Sequence, residues 1–265
     1  MQHIIFNEQS KVFSLRTKNS EYQLQVGDYG ILFHLYYGAP VGDTELAHLV
    51  IGADRGASGN PYEAGDRRAF SLDLLPQEYS TCGNGDYRLG AIEVEHADGS
   101  NALDLRYVSH QITAGKYDIT GMPAMFGTDE EAETLEIRMK DTATDVFVTL
   151  VYAVFPELDV ITRTVYVENL GESPIKLKKI MSAMLDFNHY DMDFLHFYGQ
   201  HVLERMKERT ALRHGIQSIG STRGASSHQH NPFTILCDSD ATEDHGNCYG
   251  FSFVYSGNFT FDVEV

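Results

Sequence analysis

Tryptophan is absent from this chain, cysteine is scarce, and basic residues are outnumbered almost two to one. Three cysteines, Cys82, Cys237 and Cys248, are too few and too odd a set for a disulfide framework. A reducing cytoplasm is therefore the expected compartment, with Cys237 and Cys248, which flank a polar loop, reduced although close enough in sequence to pair. No apolar run approaches the roughly 20 residues that span a bilayer. The start, Met1-Gln2-His3-Ile4-Ile5-Phe6-Asn7, has neither the basic nor the long apolar region of a signal peptide. Lys and Arg number 20 against 38 Asp and Glu, giving a formal charge of −18 over 265 residues. So acidic a surface repels phosphate backbones and anionic lipid, which argues against nucleic acid and membrane partners and suits a neutral ligand such as a sugar. Also missing are a Gly-rich phosphate loop, a Cys-x-x-Cys pair, a His-Glu-x-x-His motif and a Gly-x-Ser-x-Gly nucleophile turn.

What is present is enough apolar material for a sizeable core, 42% of residues with 15 each of Tyr and Phe, arranged with a period of two. Residues 146–155 and 160–167 are rich in β-branched and aromatic side chains, and Pro156-Glu157-Leu158-Asp159 joins them, so they predict a hairpin. Further strands are expected at Val12–Arg16, Glu21–Val26, 31–37, 91–95, 103–110 and 175–185, with Asp98-Gly99-Ser100 as a turn. At the end of the chain Phe259, Phe261, Val263 and Val265 alternate with polar residues, so the sequence stops while a strand is still alternating. Residues 202–209 dissent, since their local propensity is helical. No helix-length amphipathic pattern separates the strands, which points to an antiparallel sandwich of two large sheets. No repeat, low-complexity tract or linker marks a domain boundary.

Two loops carry unusual chemistry. Residues 52–68 lack a strand pattern and are dense in Gly, Asp and Arg; Asp54 beside Arg55, and Asp66 beside Arg67 and Arg68, suggest a polar network or a hydroxyl-binding surface. A solvated surface loop is the plain alternative. Residues 221–233 hold His228 and His230, which would share a face on a strand but lack a third metal ligand, so hydrogen-bonded structural histidines are expected and no metal site. The acidic run 129–133 is read as a solvated face, not a catalytic dyad.

Several strings, in order and across nearly the whole chain, resemble glycoside hydrolase family 36, the bacterial α-galactosidases that cleave raffinose-type sugars. They are residues 70–79 (Phe-Ser-Leu-Asp-Leu-Leu-Pro-Gln-Glu-Tyr), 83–88 (Gly-Asn-Gly-Asp-Tyr-Arg), 104–107 (Asp-Leu-Arg-Tyr), 121–124 (Gly-Met-Pro-Ala), 131–137, 223–233 and 250–259. The resemblance implies an all-β fold, a large antiparallel β-supersandwich of the galactose mutarotase type, truncated before the catalytic (β/α)8 barrel. Residues 1–265 would form this non-catalytic N-terminal domain, incomplete at its C-terminal end. Both carboxylates of the family's retaining chemistry, which need a separation of about 5–5.5 Å, lie in the barrel, so no residue here is assigned a catalytic role. No cofactor and no metal are implied.

The resemblance does imply two substrate contacts. Asp54, in Ala53-Asp54-Arg55-Gly56, matches the family Asp that reaches over the barrel mouth and accepts hydrogen bonds from the terminal galactose. His201, in Leu195-His196-Phe197-Tyr198-Gly199-Gln200-His201, stands where the family has Trp, a smaller and more polar platform for a sugar face. In the family the residues that follow are extended, which overrules the helical reading of 202–209. Implied partners are the galactose moiety of α-galactosides, the protein's own barrel and further copies of itself, as a homo-oligomer (a tetramer in the full-length family). A free-standing carbohydrate-binding module and a purely structural assembly domain are the alternatives; the first expects an exposed aromatic platform, the second no sugar contact.

Overall fold

The computed structural model describes residues 2–54 and 60–265. They form sixteen strands and, among the described residues, no α-helix, only short 3-10 turns. The strands are β1 (Ile4–Asn7), β2 (Val12–Arg16), β3 (Glu21–Val26), β4 (Leu32–Gly38), β5 (Ile92–His96), β6 (Leu105–Ala114), β7 (Glu133–Asp141) and β8 (Val146–Phe155). They continue as β9 (Val160–Asn169), β10 (Ile175–Ile180), β11 (Met192–Gln200), β12 (Leu203–Ala211), β13 (Ile216–Ser221), β14 (His230–Asp238), β15 (Cys248–Ser252) and β16 (Phe259–Glu264). Every strand pair is antiparallel. Although no linker composition announces it, the chain divides into two compact units, residues 1–117 with 126–186, and residues 118–125 with 187–265.

The first unit holds the four-stranded sheets β1-β2-β3-β4 and β6-β7-β8-β9 and the pair β10-β5. The inward faces of all three meet in one core: Phe13, Leu15 and Leu24 from the first sheet, Ile137, Val148 and Leu150 from the second, and Ile92 and Val94 from β5. Alternation in β7, where Leu135, Ile137 and Met139 are buried, is what places these side chains on one face. β8 lies between β7 and β9, and its last six residues are all buried, as its unbroken apolar run requires.

One charged cluster sits inside this core. Glu78 is fully buried, and its carboxylate accepts hydrogen bonds from the Tyr22 hydroxyl (2.7 and 2.6 Å) and the Tyr152 hydroxyl (2.7 Å). The Arg163 guanidinium pairs with the same carboxylate at 2.9 Å, and His34 Nδ1 lies 3.4 Å from it without hydrogen-bond geometry. Burial alone would push the Glu78 carboxyl up, but the Arg163 cation and the surrounding polar groups outweigh it and hold the group below its ordinary value. Burial, with the Glu78 charge alongside, pushes the Tyr22 hydroxyl well up, so it stays a donor.

The outer face of the first sheet is covered by the segment that carries the candidate loop. Val12, Phe33 and Leu35 pack against Ala64, Phe70, Leu72 and Leu75. Two backbone bonds, His34 N to Pro76 O (2.7 Å) and Glu78 N to Leu32 O (3.0 Å), stitch this segment to β4. Arg88 anchors it from below, pairing with Asp86 (2.9 Å) and Asp186 (3.0 Å) and donating to the carbonyls of Leu72 (3.1 Å) and Leu75 (2.8 Å).

The second unit contains the sheet β12-β11-β14-β15 and the pair β13-β16, whose Met192, Phe194, Leu236, Ile219 and Phe259 form a smaller core. Here the helical propensity of residues 202–209 is overridden. Val202 falls in the turn, and residues 203–209 lie in β12, paired with β11 from Asp193↔Ala211 to Gln200↔Leu203. As an edge strand exposed at every residue, β12 can keep its Glu, Arg and Lys in water while its backbone bonds to β11. The three cysteines are free thiols. Among the described residues no helix is long and apolar enough to cross a membrane.

Candidate functional site

The loop that bears Asp54 leaves the 3-10 turn Ala47–Leu49 and returns through the turn Tyr62–Ala64 onto the outer face of the first sheet. Residues 55–59, Arg55 among them, lie outside the described residues. The neck of the loop is built by close approach. A Cβ placed on Gly52 would sit 2.2 Å from the Ala69 carbonyl oxygen, so only glycine lets the two chain segments come so near. Two residues on from Gly52, the Asp54 carboxylate lies 3.4 Å from Arg68 Nε, with both side chains more than half exposed. The neighbouring Arg67 points elsewhere: it pairs with Asp28 at 2.5 Å and lies 5.1 Å over the Phe70 ring, while its carbonyl accepts from Asn60 Nδ2 at 3.0 Å. Hydrogen bonding to Asp28 and Tyr29 raises Arg67 above its ordinary value.

Below the neck the loop rests on a second clamp. Arg106 grips Asp104 with two parallel bonds (2.9 and 2.8 Å), donates to the Tyr29 carbonyl (3.1 Å) and lies 3.7 Å from Glu63. An open cleft of about 320 Å3 runs along this side of the unit, lined by Gly52, Arg67, Asp28, Phe33 and Gln25. The arrangement is a hydrogen-bonded foot carrying a solvent-facing carboxylate beside a guanidinium. It can accept hydrogen bonds from vicinal hydroxyls, and among the described residues it offers no nucleophile–base pair.

His201 sits in the second unit, exposed at the turn between β11 and β12. That turn is tight: Val202 adopts φ +75°, a left-handed conformation strained for a β-branched residue, and Val202 N donates to Glu204 Oε1 at 2.9 Å. A Cβ on Gly199 would meet the Leu203 carbonyl at 2.4 Å, which explains the glycine in the string that precedes His201. Within that string burial pushes the His196 imidazole below its ordinary value, and His196 Nε2 lies 3.6 Å from Glu208; Tyr198 presents a half-exposed ring. Asp54 and His201 belong to different units, and the geometry of each stands by itself. Of the two histidines expected to share a strand face, only His230 is on β14; His228 is exposed in the turn before it. Among the described residues no group of three or more His, Cys, Asp or Glu side chains could hold a metal.

Sequence reasoning singled out Asp54 and the Arg67–Arg68 pair but did not divide the arginines between their partners. The Gly52–Ala69 approach and the Arg106 clamp were also beyond it, because both depend on contacts between segments distant in sequence.

Comparison with known proteins decides the family. Residues 30–265 match the model of the glycosyl hydrolase family 36 N-terminal domain. The chain belongs to glycosyl hydrolase family 36, as its N-terminal domain. It is 47% identical over 261 residues to the bifunctional α-galactosidase/sucrose kinase AgaSK of Mediterraneibacter gnavus, covering 98% of this chain and 28% of the relative. The solved galactosidase domain of AgaSK superposes with a TM-score of 0.96 over 98% of this chain and 36% of that structure. The family 36 α-galactosidase AgaA of Geobacillus stearothermophilus, 43% identical over 96% of this chain and 35% of its own, has been solved as a variant in complex with raffinose and superposes with a TM-score of 0.92. The chain thus spans about a third of the length of the α-galactosidases it matches, as their N-terminal part, and has the all-β sandwich of the family 36 N-terminal domain.

Proposed function

We propose that this chain is the non-catalytic N-terminal domain of a retaining α-galactosidase that removes terminal α-galactosyl residues from melibiose- and raffinose-type oligosaccharides. Its part in the reaction is to bring a galactose-contacting loop to the site and to supply oligomer contacts, in a cytoplasmic enzyme whose nucleophile and acid/base carboxylates come from the barrel. The observation that carries this reading is the neck at Gly52 and Ala69, which holds the Asp54 carboxylate out to solvent with Arg68 alongside. A carboxylate so held can accept two sugar hydroxyls at once. His201, at the exposed β11–β12 turn, is the second contact, polar and weaker than an aromatic platform.

The test is a pair of measurements on the chain alone and on the enzyme of which it is part. The chain alone is expected to hydrolyse no aryl α-galactoside and to bind galactose only in the millimolar range or more weakly. Two hydrogen bonds to a charged acceptor, about 1.5–3 kcal/mol each, barely offset the cost of association. Turnover by the purified chain would overturn the non-catalytic assignment, and micromolar galactose affinity by calorimetry would favour a free-standing binding module.

A further inference from the structure

The second unit brings two thiols face to face that its sugar chemistry does not use. Cys237 on β14 and Cys248 on β15 are directly opposite in the antiparallel register, at the last rung before the connecting loop. Residues directly opposite in an antiparallel pair have Cα atoms about 4.5–5.5 Å apart, within the range of about 4.4–6.8 Å that a disulfide spans. The register cannot slip, because the next step is closed by Asp238 N donating to Asn247 O at 3.0 Å and by Asp238 Oδ2 accepting from both Asn247 nitrogens at 2.9 Å. Arg209 locks the same hairpin, bound to Asp193 (2.6 Å) and to the carbonyls of Asp238 (3.0 Å), Ser239 (2.9 Å) and Ala241 (2.7 Å).

We propose that Cys237 and Cys248 are an oxidative modification site, a cross-strand thiol pair that closes to a disulfide by exchange with a low-molecular-weight disulfide such as oxidised glutathione. Cys248 is exposed and is the entry point; Cys237 is buried, and burial pushes its thiol up, so it acts second. The Cys248 thiolate, its proton released to solvent, attacks one sulfur of glutathione disulfide, forming a mixed disulfide and releasing one glutathione thiolate. The Cys237 thiol then loses its proton, its sulfur attacks Cys248 Sγ, and the second glutathione leaves. Two protein thiols and one glutathione disulfide become one protein disulfide and two glutathione molecules. Because the strands are already paired in this register, closure needs no change of fold.

The experiment exposes the protein to glutathione buffers of increasing oxidised fraction, quenches with acid, denatures, and counts free thiols by maleimide labelling with peptide mapping. Two of the three thiols should vanish together, in a Cys237–Cys248 crosslinked peptide that dithiothreitol reopens, while Cys82 stays labelled. The Cys248→Ser variant, altered only at an exposed position, should form no internal disulfide and keep Cys237 free. A mixed disulfide on Cys248 that never resolves, a crosslink involving Cys82, or three free thiols at every buffer ratio would each overturn the proposal.

Discussion

Removing the carboxylate of Glu78 should be among the costliest single changes in the first unit. Glu78→Ala takes away the common acceptor of the Tyr22 and Tyr152 hydroxyls and leaves the Arg163 guanidinium, itself nearly buried, without a counter-charge. Breaking a buried ion pair from one side costs about 3–5 kcal/mol, since the remaining charge is neither solvated nor compensated. Glu78→Gln keeps an acceptor oxygen but not the charge and should fall toward the lower end of that range. With no Trp in the chain, tyrosine fluorescence and far-UV circular dichroism during urea unfolding at pH 7 are the assay. The pH dependence supplies a second arm. Glu78 is held below its ordinary value of 4.5 in the folded chain, so its stabilisation is fully present above about pH 4.5 and is lost as pH falls through the lower folded value. The wild type should therefore lose stability on acidification in that window more steeply than Glu78→Gln, which has no carboxylate to protonate there. A loss below about 1 kcal/mol for Glu78→Ala at pH 7, or identical acid slopes, would refute this account of the core.

Two further substitutions test the local geometry. Gly52→Ala would force a Cβ to within 2.2 Å of the Ala69 carbonyl, so the neck must open; a loss of about 1–3 kcal/mol is expected in thermal or urea unfolding, and an unchanged transition would refute the close approach. Val202→Gly relieves the φ of +75° at the β11–β12 turn and should stabilise the second unit by about 1 kcal/mol, the strain released exceeding the entropy glycine adds to the unfolded chain; a lower melting temperature would contradict it.

Much of the fold was legible wherever the period of two met a strong turn signal. Val12–Arg16 and Glu21–Val26 form strands with the expected bounds, and the hairpin of β8 and β9 turns at Pro156–Leu158, with Asp159 in the left-handed conformation. Bounds slipped where apolar residues continue past the pairing: β10 ends at Ile180 because its partner β5 has run out at Ile92, although the expected strand extended to residue 185. β12 was opaque to local propensity because Leu, Glu, Arg, Met and Lys favour helix, and only the backbone of β11 makes them a strand. The Glu78 cluster was invisible for a related reason: Glu78 lies outside the strands, between β4 and β5, while Tyr22 is on β3 and Tyr152 and Arg163 face each other across β8 and β9, so only tertiary packing brings the carboxylate to them. For the site, composition marked the loop and the resemblance picked out Asp54, but the division of Arg67 to Asp28 and Arg68 to Asp54 depends on the fold.

The most direct test of the functional account is steady-state kinetics of Asp54→Ala and Asp54→Asn in the full-length enzyme, with thermal unfolding in parallel. An exposed pair such as Asp54–Arg68 contributes little to stability, so the melting temperature should barely move. If the carboxylate holds the sugar, KM should rise strongly, with kcat falling where attack geometry is disturbed. The combined loss in kcat/KM should be at least about tenfold, or about 1.4 kcal/mol of transition-state stabilisation. Unchanged kinetics in a properly assembled Asp54→Ala enzyme would contradict the account, and a collapsed melting temperature would show instead that Asp54 serves only the loop's own structure.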